Sequence, residues 1–588
     1  MEKAALGRMN GAQVVGNEVE FRVWAPVAKQ VALQLESGRW LPMQRDDTGT
    51  FILTASAHPG TRYFYRVDDQ RPVPDPVSRF LPEGVHGPTE IVNPDLFRWT
   101  DQHWHGLDRN EYIIYELHVG TFTPQGTFEG VIERLDYLKG LGISVIEIMP
   151  VAAFPGTRNW GYDGVSPYAV QASYGGPEGF KRLVNAAHAA GLGVMLDVVY
   201  NHLGNEGNYL RMFGPYFTGR PHTPWGEAIN FDGQGCEGVR RYFIENALYW
   251  IREYHVDGLR LDAIQTIHDD SPKQSEQGRH IVEEINDEVQ QLAAELSRTV
   301  CVIAETDEND AHMVQAREHG GWGLCGVWSD DFHHAVHTVL TGEQEGYYQD
   351  FGKKAQIVRA LNSGFVFQGE YFNFWKKERG TRPEDVPLPA HIICIQNHDQ
   401  VGNRARGERL GHLAPRGAQR LAAALLLLAP HTPLLFMGEE FAETAPFQFF
   451  TDYGDPTLQK AVSEGRRNEF KDFIWGQIPD PQDPQSFERS KLHWPEYGAR
   501  WSEGQRGMLD WYRELIQLRL RIVINGPRTC HSELRDGLLV MQVPAEQPKL
   551  MVVAEFPDSN RSVSRSSEWN LLMASEDRGY GVKVFEKG

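Results

Sequence analysis

The run Gly193-Val194-Met195-Leu196-Asp197-Val198-Val199, continued as Tyr200-Asn201-His202, decides the fold. It is a short apolar stretch of strand length, and just ahead of it Phe180, Leu183, Val184 and Ala187 share one face of a helix. The same pair of patterns repeats in both directions. Upstream lie Ile113-Ile114-Tyr115-Glu116-Leu117, a helical period carrying Val131, Leu135 and Leu138, and Val145-Ile146-Glu147-Ile148-Met149. Downstream, strands are expected at Gly258 to Asp262, Val300 to Glu305, Leu324 to Ser329, His391 to Gln396 and Pro433 to Met437. Helices are expected near 239–254, 274–297, 353–362, 415–429 and 506–522. Eight such units predict an α/β chain whose centre, residues 98–525, is a (β/α)8 TIM barrel with its active site at the C-terminal ends of the strands. A doubly wound open sheet shares the alternation but calls for a glycine-rich phosphate loop after its first strand. Gly120-Thr121-Phe122-Thr123 is not one.

The flanks read differently. Val19 to Ala25, Val31 to Leu35 and Arg62 to Val67 have strand character with turn punctuation, and predict an N-terminal β-sandwich over residues 1–97. Leu538 to Val543 and Leu550 to Ala554 predict a small C-terminal β-domain over 526–588. At 588 residues, several times the ~150 of one domain, the chain needs such a division. A net charge of −21 argues against nucleic acid and anionic membrane partners. The first ten residues lack the apolar stretch of a secretion signal. The longest apolar run, Leu421 to Ala429, is far below the ~20 residues that span a bilayer, so a cytoplasmic setting is expected. Cys236, Cys301, Cys325, Cys394 and Cys530 form no C-x-x-C pair and read as neither a disulfide framework nor a zinc site. Cys301, Cys325 and Cys394 sit in apolar runs and read as core residues.

The chemistry is carried by polar residues at the strand ends. Asp197 ends the third strand, Asp262 the fourth and Glu305 the fifth, while Asp399 follows the seventh in Gln396-Asn397-His398-Asp399. One such carboxylate is easily a helix cap; four at one face of a barrel are not. Arg260 and Asp262 are two apart on a strand and point the same way. A guanidinium so near a carboxylate favours its charged form, as a nucleophile requires. Glu305, ending the apolar run Cys301 to Ala304, is the better proton donor. Retaining glycoside hydrolysis needs such a pair about 5 Å apart, which neighbouring strands provide.

These stretches also resemble a family. Asp197-Val-Val-Tyr-Asn201-His202, Gly258-Leu-Arg-Leu-Asp262, Ala304-Glu305 and Asn397-His398-Asp399 match the four signature stretches of the α-amylase family of glycoside hydrolases in order and spacing. The resemblance implies Asp262 as nucleophile, Glu305 as general acid/base and Asp399 as the carboxylate that orients the sugar hydroxyls. It also implies His202, Arg260 and His398 as sugar contacts and Tyr162, in Trp160-Gly-Tyr-Asp163, as the aromatic platform beside them.

Further stretches are similar to the trehalose-releasing hydrolases of that family. They are Asp262-Ala-Ile-Gln265-Thr-Ile-His268, Ser329-Asp330-Asp331-Phe332-His333-His334 with Leu340 to Glu343, and His398-Asp399-Gln400-Val-Gly-Asn403-Arg404. The similarity implies cleavage of the α-1,4 bond next to the terminal trehalose of maltooligosyltrehalose, a step of trehalose biosynthesis, with Gln265, His268, Phe332, Gln400 and Asn403 among the substrate contacts. Asp330, Asp331, His333 and His334, read as a loop after the sixth strand, are expected to hydrogen-bond the bent disaccharide. Phe21-Arg-Val-Trp-Ala-Pro26 resembles the β-domain in front of such enzymes, and of glycogen branching and debranching enzymes, which implies a glycan-binding-like unit. A 1,4-α-glucan branching enzyme shares the core motifs and is the enzymatic alternative. A binding protein has no use for a proton donor beside a nucleophile. No cofactor is expected. His333 and His337, four apart, lack the companions of a metal site, and no acidic cluster near Asn201 indicates calcium. Trp225 reads equally as a sugar platform or a packed loop residue.

Overall fold

The computed structural model describes residues 10–36, 38–219, 226–274, 278–470, 478–559 and 568–588, so Trp225 lies outside the described residues. Eight parallel strands close into a barrel: β1 (Ile114–Leu117), β2 (Val145–Ile148), β3 (Gly193–Val198), β4 (Gly258–Leu261), β5 (Cys301–Ala304), β6 (Gly326–Trp328), β7 (His391–Cys394) and β8 (Thr432–Phe436), with β8 against β1. Closure rules out the open sheet. Every barrel strand is buried along its whole length, which is why these runs are apolar without alternation. Met195, Ile303, Ile392 and Leu434 belong to one apolar cluster, whereas Leu196, Val302 and Ile393 belong to the main core that includes the outer helices.

Register places the chemistry. Asp197 stands opposite Arg260, and Leu261 opposite Ala304. The Glu305 amide continues the ladder by donating to the Leu261 carbonyl at 2.9 Å, so Asp262 and Glu305 leave the barrel side by side.

Two expectations need correction. The stretch after β6 is a helix, Asp330–Thr341, beginning two residues past the strand. Phe332, Ala335, Val336 and Leu340 give it the spacing of a buried helical face. Cys301 and Cys325 are joined in a disulfide, with Cα atoms 5.3 Å apart, rather than being separate core thiols. The Cys325 amide donates to the Val302 carbonyl, which sets the approach to β6 beside the start of β5.

In front of the barrel two four-stranded antiparallel sheets face each other. The alternation of Glu18–Trp24 turns Val19, Phe21 and Val23 inward. This unit is held to the barrel by Arg79, whose guanidinium meets Glu253 at 2.6 Å, and by Trp24 edge-on to Tyr216. Behind the barrel a five-stranded antiparallel sheet, His531 to Lys587, packs on helix Arg416–Leu428.

Candidate active site

Arg260 is the organising residue. Its buried guanidinium donates from Nη1 to Asp197 Oδ2 at 2.7 Å and to Asp262 Oδ1 at 2.8 Å. Its Nη2 lies 3.7 Å from Glu305 Oε2, and Trp328 of β6 supports the group face-on at 4.3 Å. The second Asp262 oxygen accepts from Asn201 Nδ2 at 2.8 Å, and the same amide reaches the Asp262 carbonyl at 2.9 Å. Ala263 follows with φ 40°, a left-handed conformation that costs an alanine energy. That kink turns its amide onto Glu305 Oε2 at 2.5 Å.

Environment distinguishes the two acids. Burial lifts the Glu305 carboxyl well above its ordinary value; Arg260 opposes this, while the charges of Asp262, Asp330 and Asp399 add to it. Asp262 has a hydrogen-bond donor on each oxygen. Burial also raises Asp399, whose Oδ1 accepts from Asn403 Nδ2 at 2.5 Å, and pushes Asp330 up to about 7 with help from Asp399. Asp197 rises to about 6 by burial, with Arg260 pulling the other way.

Asp262, Glu305 and Asp399 open into one cavity of about 530 Å³, together with Tyr162, His202, Arg260 and Gln265. Asp330, His334, His398, Gln400 and Asn403 complete the expected residues that line it. Two of the expected sugar contacts are tied to protein. The Tyr162 hydroxyl donates to Asp197 Oδ2 at 2.5 Å, while its ring stacks on His398 at 5.0 Å. The His202 ring nitrogens face the Asn201 side chain and the Tyr162 carbonyl.

Four expected contacts are not in the cavity wall. Asp331 is fully buried behind it: Oδ2 accepts from Asn309 Nδ2 and the amides of Val366 and Phe367, and the carboxylate pairs with Arg379 at 2.8 Å. Phe332 fills the core, and His333 packs among His334, His337 and Tyr348. The reason is helical period: Asp330 and His334, four apart, share the cavity face, and the residues between them turn away. His268 is exposed, because Ile267 beside it turns inward.

The sequence reading also missed residues. Glu116, alone among the apolar residues of β1, accepts from the His398 amide at 2.9 Å and from its Nδ1 at 2.5 Å. Burial alone would pull the His398 imidazole down, but Glu116 outweighs it and holds the value above normal. A hairpin in the β6–β7 connection, Glu370–Phe372 with Lys377–Arg379, brings Phe372, Phe374, Trp375 and Arg379 to the cavity. Its only signal was the aromatic run Tyr371-Phe372-Asn373-Phe374-Trp375. Among the described residues no group of three or more His, Cys, Asp or Glu side chains is placed to hold a metal ion. A second, more open crevice lies between residues 411–420 and 575–578, and the strand-end acids are not part of it.

A parallel barrel with a protected acid beside a donor-held carboxylate at adjacent strand ends is a glycoside hydrolase site of the α-amylase type. Residues 91–214 match the family model "Alpha amylase, catalytic domain", and residues 9–81 match "Carbohydrate-binding module 48 (Isoamylase N-terminal domain)". The chain is 48% identical over 502 residues to the malto-oligosyltrehalose trehalohydrolase of Saccharolobus solfataricus, covering 85% of each chain. It is 45% identical over 594 residues to that of a Rhizobium species, covering 98% of this chain and 97% of the other. The chain belongs to the malto-oligosyltrehalose trehalohydrolases, within the α-amylase family. A crystal structure of a Salmonella typhimurium protein assigned to the alpha amylases superposes with TM-score 0.89 at 38% identity, covering 99% of this chain and all of the other. A 1,4-alpha-glucan branching enzyme of Agrobacterium fabrum is more distant: 28% identity over 77% of this chain and 64% of that one.

Proposed function

We propose that the enzyme hydrolyses the α-1,4 bond next to the terminal trehalose of maltooligosyltrehalose with retention, releasing trehalose and a maltooligosaccharide. The observation that carries the mechanism is the Asp262–Glu305 pair, one acid with a donor on each oxygen and the other lifted by burial. Asp262 attacks the anomeric carbon on its β face, opposite the leaving oxygen, and the C–O bond breaks as Glu305 passes its proton to that oxygen. Deprotonated Glu305 then takes a proton from water, whose oxygen displaces Asp262. Asp399, oriented by Asn403, holds sugar hydroxyls. Arg260, a cation close to both, balances the charge that leaves and returns at Asp262 and Glu305. His398, tethered to Glu116, presents its other nitrogen, Nε2, to the bound ring.

Because Glu305 protonates the leaving group, the residues beyond it line the leaving side. Asp330 and His334, with Tyr347 and the Phe372 to Trp375 aromatics, are proposed to receive the trehalose. Gln265, Gln400 and Asn403 are proposed polar contacts in the same cavity. The three-part division at about residues 97 and 525 is proposed with this reading, the front unit as a glycan-binding module supported by its family match. The place of the reaction in trehalose biosynthesis and a cytoplasmic setting belong to the same proposal.

Chromatography of products decides the matter. Trehalose from maltotriosyltrehalose, with little cleavage of maltopentaose, is expected. Branched or lengthened glucans would favour the branching enzyme, and undiminished turnover by Asp262→Asn would overturn the mechanism.

A further inference from the structure

Helix Asp330–Thr341 follows β6, and the short helix His398–Gly402 follows β7. The first brings Asp330 and His334 to the cavity, and the second brings His398, Asp399 and Gln400. Tyr347, on the turn Gly346–Asp350, joins them. Its ring stacks on His334 at 4.8 Å, and its hydroxyl donates to Gln400 Oε1 at 3.3 Å. That single long hydrogen bond is a weak tie between two elements that make one wall.

Behind the wall, away from the cavity, the tie is strong. Arg404, two residues past the short helix, donates from Nη1 and Nη2 to the two oxygens of Glu343, each at 2.8 Å. Glu343 lies two residues past the other helix and also accepts from His337 Nε2 at 2.7 Å. A bidentate arginine–carboxylate pair fixes orientation as well as distance. Both side chains are largely shielded, at 11% and 19% exposure, which limits screening by solvent. Burial opposes the charge on Glu343, yet the hydrogen bonds from His337 and Arg404 hold its carboxyl down at about 2. From His337 the contact runs on through stacked rings, to Tyr348 at 4.7 Å and to His333 at 5.2 Å, and His333 Nδ1 meets His334 Nδ1 at 3.0 Å. Asp262, Glu305 and Arg260 are held by contacts among the ends of β3 to β6, and none of these passes through Glu343 or Arg404.

We propose that Glu343 and Arg404 are positioning residues that set substrate specificity, bolting the two elements together so that His334, Tyr347 and Gln400 keep the spacing a two-ring leaving group requires. This rests on the trehalose-releasing reading. The bolt serves the distal part of the leaving side and leaves the bond-breaking groups in place.

The test uses the full-length enzyme and three substrates: maltotriosyltrehalose, maltopentaose and an aryl α-maltotrioside, whose leaving group is one ring. Inhibition by free trehalose is measured alongside. Arg404→Met is expected to raise KM for maltotriosyltrehalose and the inhibition constant of trehalose by about tenfold. Its kcat on the aryl substrate is expected to stay within about twofold. Arg404→Lys, which keeps the charge and one bond, should fall between. Equal losses on all three substrates, or no change in trehalose inhibition, would overturn the proposal. Where Arg404→Met does not fold, the near-isosteric Glu343→Gln is read by the same criteria. Wild-type enzyme that releases no trehalose from maltotriosyltrehalose would remove the functional reading itself, a result separate from any variant.

Discussion

Replacing Asp331 by asparagine changes one atom in the most completely enclosed carboxylate behind the site. Its Oδ2 accepts three N–H groups, from Asn309 at 2.7 Å, Val366 at 2.7 Å and Phe367 at 2.9 Å. The other side of the carboxylate, through Oδ1, pairs with Arg379 at 2.8 Å, and both residues are at most 3% exposed. An asparagine amide satisfies one set only. With its oxygen toward the three donors, its NH2 faces a guanidinium; reversed, the NH2 meets three N–H groups. Either way a buried cation loses its counter-charge, which costs about 3–5 kcal/mol. Unfolding entropy near 2.1 cal/mol/K per residue, over roughly 400 barrel residues, makes 4 kcal/mol worth about 5 °C. Calorimetry of Asp331→Asn should therefore show a midpoint lowered by about that amount. Below it, the KM ratio between maltotriosyltrehalose and maltopentaose should be unchanged. A variant with wild-type midpoint and KM raised for the trehalose-capped substrate alone would refute the assignment and return Asp331 to the binding site.

Other expectations follow the same logic. Glu305→Gln should lower kcat/KM about 10²- to 10⁴-fold on maltotriosyltrehalose, and far less on an α-glucosyl fluoride that needs no acid. Because Glu305 is raised, wild-type activity should fall as pH climbs through its folded value, and the glutamine variant should lose that limb. Glu116→Gln removes a buried charged partner of His398 worth about 1.5–3 kcal/mol, so the midpoint of unfolding should fall by about 2–4 °C, and kcat should drop roughly 10- to 100-fold as His398 loses its tether. Glu439 and Glu440, buried against Tyr512, Tyr115 and Tyr137, are lifted by burial to about 8 and about 7 from 4.5. Folded protein then holds protons that unfolded chain releases, so their contribution is complete below pH 4.5 and is lost as pH rises through 7 to 8. Thermal midpoints should decline across that window, and the Glu439→Gln/Glu440→Gln variant should flatten the decline; an unchanged slope would dismiss the two acids as its source.

The barrel was legible because buried parallel strands are apolar throughout and the helices between them keep a 3.6-residue period. The strand-end acids were legible because Asp262 and Glu305 end such runs, where neighbouring strands place them together. What escaped depends on direction and on distance along the chain. Asp331 and Asp330 are adjacent and identical in type, and only the helix start at residue 330 sends one inward and the other to the cavity. Glu116 is separated from His398 by 282 residues, and its partner is set by β1 and β7 flanking β8. Cys301 and Cys325 looked separate because the neighbourhood of β5 and β6, not a Cys-x-x-Cys spacing, joins them.

The helix after β6 also instructs anyone who would retune this enzyme. Randomising residues 330–334 as a block treats it as a loop and spends most variants on positions that hold the protein up. A library confined to 330 and 334 on the helix, with 347 and 400 across from them, samples the surface a sugar meets and leaves the scaffold at 331, 332 and 333 intact. The one-turn stride of the helix is thus a guide to which letters are free to evolve new leaving-group preferences and which are not.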